Sequence, residues 1–415
     1  MPGVERQWVA CLEDLTTAGT ARTGHTDPTD WAGLHAPGTR NPRDVPGVQV
    51  DGYFADDSRT NLTAGRRHDA QFVLRLPDEW NGKLVVAAAP GVQRQYAMDY
   101  LASDWLLARG YGFAATDKGN TGPYFFADGA EPGDAMLEWR RRLAELTRAA
   151  RRAAARRYGR APERTYVVGY SNGGYVARAA LERDPALYDG GVEWAAPMWR
   201  AEGPSPLTFL PVALRAYPRA ALGDAGARRA IVRAGFPAGS AFLWGSYHAT
   251  LWDPTQRTFR EELDPGYDGP LRAGVPLCAS GLPACDADYA YAGRPARVRA
   301  AVTRVENTGC IGRPLVSLHG MLDPLLPPRL QGEAYARLVS EAGSGALHRS
   351  YAIEEGTHLD ALHALFPARV RPMLPCQRSA FRALEAWVER GTPPPPSGTI
   401  ARRGAVVNAC ALPGG

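Results

Sequence analysis

The chain has 415 residues, 45% of them apolar and 22% charged, with a formal net charge of +5. That is enough apolar side chain for a substantial core, one large domain with an insertion could use the whole length, and no run approaches the roughly 18 apolar residues of a membrane-spanning helix. The bases are almost all arginine, with Lys83 and Lys118 the only lysines, and no aromatic interleaving or recognised module accompanies them, so a nucleic-acid partner is not expected.

Residues 1–45 are rich in Gly, Pro, Thr and Asp and read as an extended arm. Alternating runs at 48–54 and 69–76 predict two antiparallel opening strands. A continuous apolar run at 84–89 predicts a buried strand, closed by Pro90-Gly91 before a helical pattern over 98–107. A further buried strand is expected at 112–116, and an arginine-rich helix over about 133–158. On that helix Met136, Trp139, Leu143, Leu146 and Ala150 recur at helical spacing as a buried stripe, leaving most of the arginines on a solvated face. Strands are then expected at 165–170 and 191–196, with a helix after Gly173. From 200 to 308 the periodicity weakens and aromatic residues such as Trp244, Trp252, Phe259 and Tyr289 accumulate. This segment reads as a lid inserted between the sixth and seventh predicted strands. The alternation resumes with strands at 314–318 and 349–353 and helices at 329–339 and 378–387, and Pro393–Pro396 begins a tail. No internal repeat is visible. Strands alternating with helices indicate an α/β fold around a mostly parallel sheet. The expected organisation is an arm at 1–45, a core at 46–199, the lid at 200–308, the rest of the core at 309–392, and an extended tail at 393–415.

Six cysteines form an even set without C-x-x-C pairs or zinc-finger spacing. The expected pairing is Cys278–Cys285 as a local clasp, Cys310–Cys376, and Cys11–Cys410 joining the termini. Disulfides would imply export, with a cytoplasmic protein carrying free thiols as the alternative. Residues 1–10 contain Glu5 and Arg6 and no apolar stretch, so a signal peptide is not expected within the sequence itself.

The most informative segment is Gly169-Tyr170-Ser171-Asn172-Gly173, a G-x-S-x-G motif with a strand before it and a helix after it. The turn must be sharp, and a Cβ at 169 or 173 would collide with neighbouring backbone. Ser171 is the expected nucleophile. A serine hydroxyl needs a base, and the base needs an orienting carboxylate. With the chain order Ser, acid, His, the acid is Asp323, just past the strand at 314–318, and the base is His358, just past the strand at 349–353. The long interval from Ser171 to Asp323 is accounted for by the lid. His363 and His319 are the competing histidines. His363 falls in a helical segment and His319 precedes the acid, so both fit less well. For the oxyanion, the Asn172 backbone N–H is one expected donor, and Gly91 or Val92, after the strand at 84–89, is the other. Tyr170, Asp117 and Lys118 are candidate substrate-binding residues, the last two in a polar loop at a strand end. No metal and no cofactor is required by this chemistry.

The arrangement resembles the α/β-hydrolase superfamily over about residues 45–390. Within it, the segments Ala115-Thr116-Asp117-Lys118-Gly119 and Thr357-His358-Leu359-Asp360-Ala361, with the tail from Gly391-Thr392-Pro393 to Ser397, resemble 3-hydroxybutyrate oligomer hydrolases and related polyester-oligomer esterases. The tannase and feruloyl esterase family is a rival resemblance, sharing the lidded architecture and a tryptophan-bearing C-terminal helix. That family often joins a cysteine before the serine to one after the histidine, where this chain has Tyr170 and Leu359. Both resemblances imply a secreted serine esterase working through an acyl-enzyme, on hydroxyalkanoate oligomers or on aromatic esters. The other class is a non-catalytic binding protein on the same fold. The oligomeric state is left open.

Overall fold

A computed structural model describes residues 1, 3–56, 68–267 and 286–413. Among these residues ten strands form one sheet: β1 Val4–Leu12, β2 Gly47–Phe54, β3 Gln71–Pro77, β4 Lys83–Ala88, β5 Gly112–Thr116, β6 Arg164–Tyr170, β7 Gly190–Trp194, β8 Leu315–Gly320, β9 His348–Ile353 and β10 Gly398–Ile400. Their spatial order is β1-β2-β3-β5-β4-β6-β7-β8-β9-β10. The first strands pair antiparallel, and every pairing from β5–β4 to β9–β10 is parallel. The helices are α1 Thr17–Arg22, α2 Asp104–Leu107, α3 Asp134–Tyr158, α4 Asn172–Arg183, α5 Pro206–Ala221, α6 Ala225–Arg233, α7 Trp244–Thr250, α8 Trp252–Leu263, α9 Ala296–Val305, α10 Gly332–Glu341 and α11 Leu374–Arg390.

The central strands are apolar throughout because both faces of the sheet are covered. Side chains alternate across the pleat. Leu84, Val86 and Ala88 of β4 therefore face a core with Trp139 and Leu143 of α3 and Val176 and Leu181 of α4. Val85 and Ala87 face the opposite core with Leu106 of α2 and Phe381 and Leu384 of α11. The expected stripe of α3, from Met136 to Ala150, is buried.

The segment between β7 and β8 carries α5–α9. It is the interval between the sixth and seventh predicted strands, renumbered because β1 adds a strand ahead of them. Its helices have their own apolar cluster, including Phe209, Leu214, Phe236, Trp244 and Trp252, and that cluster closes onto Leu325 and Leu326 just past β8. The Trp252 indole N–H donates to the Pro324 carbonyl at 2.7 Å.

Three expectations are corrected. The first 45 residues are not wholly extended: β1 forms the sheet edge against β2, and α1 follows. Exposed polar residues punctuate β1, the mark of an edge strand rather than of a core strand, which hides it from a hydrophobic pattern. Within the tail, β10 adds a parallel strand to the sheet at β9. Neither Cys310–Cys376 nor Cys11–Cys410 forms. Instead Cys376, on the first turn of α11, is joined to Cys410, while Cys11 and Cys310 are free and exposed. The tail runs back over α11, where the Ser379 hydroxyl donates to the Cys410 carbonyl at 2.7 Å, so position rather than sequence spacing selects the partner. Cys278 and Cys285 lie outside the described residues.

Candidate active site

Ser171 sits between β6 and α4 with φ 53° and ψ −123°, a left-handed conformation that a non-glycine residue adopts only when its surroundings enforce it. They do so by close packing. A Cβ on Gly169 would lie 2.1 Å from the Gly173 carbonyl oxygen, and one on Gly173 would lie 2.2 Å from that of Ala88. The Ser171 N–H is held by the Trp194 carbonyl at 3.0 Å. The turn thus lifts the hydroxyl above the carboxyl ends of the parallel strands.

The loops after β8 and β9 bring the acid and the histidine to the same edge. His358 Nε2 lies 3.1 Å from Ser171 Oγ, and His358 Nδ1 lies 2.8 Å from Asp323 Oδ2. Asp323 is fully buried, and its Oδ1 accepts the N–H groups of Leu325 at 2.8 Å and Leu326 at 2.9 Å. Burial alone would raise its carboxyl, but the adjacent His358 and His319 outweigh burial and hold it well below the ordinary carboxylate range. Asp323 is therefore an anion suited to orienting an imidazole.

The competing histidines are engaged elsewhere. His363 Nδ1 contacts the Val370 carbonyl at 2.7 Å. His319 Nε2 contacts the Leu326 carbonyl at 2.7 Å and lies 3.5 Å from Asp323 Oδ2, so it buttresses the acid without reaching Ser171. This support was not foreseen. The sequence places His319 at a strand end, but it does not reveal that the chain folds back to set its ring against Asp323.

The three proposed oxyanion donors gather at one cavity: Asn172, Gly91 and Val92 line it together with Ser171 and His358. Asn172 is the first residue of α4, so its N–H has no acceptor within the helix. Its side-chain amide donates to the Gly91 carbonyl at 3.1 Å and ties the loop after β4 to the nucleophile turn. Among the described residues, the Gly91 and Val92 N–H groups have no backbone acceptor.

The cavity has a volume of about 300 Å³. Its wall is mainly apolar, with Phe125 before α3, Phe259 from α8, Leu325 and Leu326 after β8, and Leu34 from the N-terminal arm. Among the described lining residues there is no Asp, Glu, Lys or Arg. Tyr170 also lines the cavity, but its phenol donates to the His358 main-chain carbonyl and is not directed at a ligand.

Asp117 and Lys118 are a correction, because neither lines this cavity. Asp117 is buried and spends its carboxylate on the Gln71 N–H at 2.9 Å and the Gly119 N–H at 2.7 Å. Lys118 has φ 79°, which turns its buried ammonium to within 5.4 Å of the Trp139 ring centroid. Burial pushes the Asp117 carboxyl up and the Lys118 ammonium down, each partly offset by the other's charge. Beyond this site, carboxylate oxygens of Asp56, Asp128 and Glu138 lie within 4.8 Å of one another and could in principle hold a metal ion. Arg142 already supplies positive charge there, donating to Glu138 at 2.7 Å and to Asp56 at 3.2 Å.

A sharp turn carrying Ser171 above the strand ends, Asp323 and His358 after later strands, and a helical insertion over the cavity define the α/β-hydrolase fold. Comparison with known proteins is consistent with this. Residues 58–200 match the family model described as tannase and feruloyl esterase, the rival of the two resemblances. The chain is 30% identical over 171 residues to mono(2-hydroxyethyl) terephthalate hydrolase from Piscinibacter sakaiensis, a match covering 37% of this chain and 28% of that relative's length. In three dimensions it resembles feruloyl esterase B from Aspergillus oryzae, with a TM-score of 0.53 and 13% identity over 94% of this chain and 89% of that one. It also resembles tannin acyl hydrolase from Aspergillus niger, with a TM-score of 0.51 and 12% identity over 94% and 84% of the two chains.

Proposed function

We propose that this protein is a serine carboxylic-ester hydrolase. The observation that carries the reading is the continuous relay from Ser171 Oγ through the His358 imidazole to the buried Asp323 carboxylate. Ser171 Oγ attacks the ester carbonyl carbon as its proton passes to His358 Nε2, and Asp323 stabilises the imidazolium. The oxyanion is received by the Asn172 N–H and by Gly91 or Val92. Collapse expels the alcohol, which takes the proton from His358, and leaves an acyl group on Ser171. Water, deprotonated by His358, then attacks the acyl carbon and releases the acid. No step calls on a cofactor.

The apolar wall supports an uncharged, ring-sized acyl group, and the match to the tannase and feruloyl esterase model supports aromatic esters. An apolar cavity of about 150 Å³ holds a benzene, so the 300 Å³ here gives room for a ring with a substituent. Oligomers of 3-hydroxybutyrate are the second reading, since their ester backbone is also uncharged. Their terminal carboxylate would have to lie outside this wall, because an unpaired charge is costly to bury. The Cys376–Cys410 disulfide supports an oxidising compartment, and hence a secreted protein. No helix among the described residues is long and apolar enough to cross a membrane.

The test is hydrolysis of p-nitrophenyl benzoate and of its 4-carboxy analogue by the parent and by Ser171→Ala. The parent is expected to favour the neutral ester by at least about tenfold in kcat/KM. Ser171→Ala is expected to lose on the order of a million-fold in kcat. Equal efficiency on the two esters would remove the uncharged-acyl assignment, and near-normal turnover by Ser171→Ala would remove the serine mechanism.

A further inference from the structure

The residue before the nucleophile ends in a phenol that does not face the ligand space. Tyr170 is buried, its ring stacks on Trp194 of β7 with centroids 5.2 Å apart, and its hydroxyl donates to the main-chain carbonyl of His358. No other donor reaches that carbonyl among the described residues. The same ring lies 5.4 Å from the His358 imidazole, centroid to centroid.

The loop carrying His358 is short and needs fixing. On one side of the histidine, the Leu322 N–H donates to the Gly356 carbonyl at 2.8 Å. On the other, the Asp360 carboxylate receives the N–H groups of Met373 at 2.7 Å and Leu374 at 2.9 Å, which anchors the loop to the start of α11. Those anchors tie the loop to the segment after β8 and to a helix, and neither ties it to β6, the strand that leads into Ser171. The Tyr170 phenol does so directly, one residue before the nucleophile and at the histidine's own peptide.

We infer that Tyr170 is a positioning residue, a non-covalent staple that joins the end of β6 to the His358 backbone and sets the imidazole against the Ser171 hydroxyl. Burial, and to a smaller extent the nearby Asp360, Tyr247 and Asp323, hold the phenol well above its ordinary titration range, so it stays protonated and remains a donor. The inference rests on the serine-hydrolase reading above. Without the staple, the 3.1 Å approach of Nε2 to Oγ depends on a loop anchored only to other elements.

The test compares Tyr170→Phe with Tyr351→Phe in the full chain. Tyr351 is a buried tyrosine of β9 whose phenol likewise donates to a main-chain carbonyl, that of Pro395 at 2.5 Å, so it controls for the loss of one such bond. With p-nitrophenyl butyrate, Tyr170→Phe is expected to lose about ten- to a hundredfold in kcat, the scale of a misplaced reacting group, with KM nearly unchanged. The low-field proton signal of His358 Nδ1–H should broaden in parallel. Tyr351→Phe should keep its kcat and that signal, and 4-aminophenylalanine at position 170, which retains a donor, should restore kcat. Should Tyr170→Phe not accumulate, 4-fluorophenylalanine fills the hydroxyl's volume without donating and carries the same expectation. Parent-like kcat in the donor-less variants, or an equal loss in Tyr351→Phe, would overturn the staple. Retained turnover in Ser171→Ala would overturn the serine reading instead.

Discussion

Asp323→Asn tests the relay at its buried end. The carboxylate has two different sides: Oδ1 takes the N–H groups of Leu325 and Leu326, and Oδ2 faces His358 Nδ1 at 2.8 Å. An asparagine must keep its carbonyl oxygen on the paired N–H groups, because the reversed amide would set NH₂ against two donors. Its NH₂ then faces His358 Nδ1 and is satisfied only if that nitrogen carries no proton. The imidazole is forced into the tautomer with hydrogen on Nε2, the atom that has to accept the Ser171 proton. In a serine-protease triad the same exchange costs about 10⁴ in kcat, equivalent to about 5 kcal/mol of barrier. KM should change little, because Asp323 does not line the cavity. The assay is steady-state hydrolysis of p-nitrophenyl butyrate, with circular dichroism to confirm the fold. A folded Asp323→Asn protein with kcat within about tenfold of the parent would refute this use of the triad geometry.

Two further predictions concern stability. Asp104 of α2 is fully buried, and burial raises its carboxyl to about 7, although hydrogen bonds from Thr17 favour the charged form. An unfolded aspartate titrates near 3.9, so between about pH 4 and 7 the native state holds a proton that the unfolded state has lost. Stability contributed at this site therefore falls as pH rises through that window and is level above it. Asp104→Asn should flatten that slope, read as the urea midpoint at a series of pH values; an unchanged slope would contradict it. Cys376→Ser opens a loop with a sequence separation of 34 residues. Chain entropy gives that loop about 3–4 kcal/mol. The variant should unfold at lower denaturant than the oxidised parent, and superposition with the oxidised parent would contradict it.

What could be read from the sequence was local. Ser171 announces itself because a strand pattern, two glycines and a helix pattern occupy adjacent residues, and the turn's sterics require that combination. Asp323 and His358 follow because catalytic groups in a parallel sheet lie past strand ends, and the strand patterns before them are clear. The same strand-end reasoning led to Asp117 and Lys118 and failed there, because a positive φ at Lys118 turns the loop into the core. Contacts between distant segments left no mark in the sequence. The antiparallel edge strand β1, the Cys376–Cys410 pair, the His319 support and the Tyr170 phenol each depend on which segments meet. An aromatic residue before the serine looks like any other strand residue until the His358 carbonyl is beside it.

The most direct test of the central claim is to locate the covalent adduct. The parent protein is treated with a fluorophosphonate, digested, and the modified peptide is identified by mass spectrometry. A single phosphonyl group on Ser171, formed in step with loss of esterase activity and absent from His358→Ala, is the predicted result. Stoichiometric modification of a different residue, or full inactivation with Ser171 unmodified, would contradict the account.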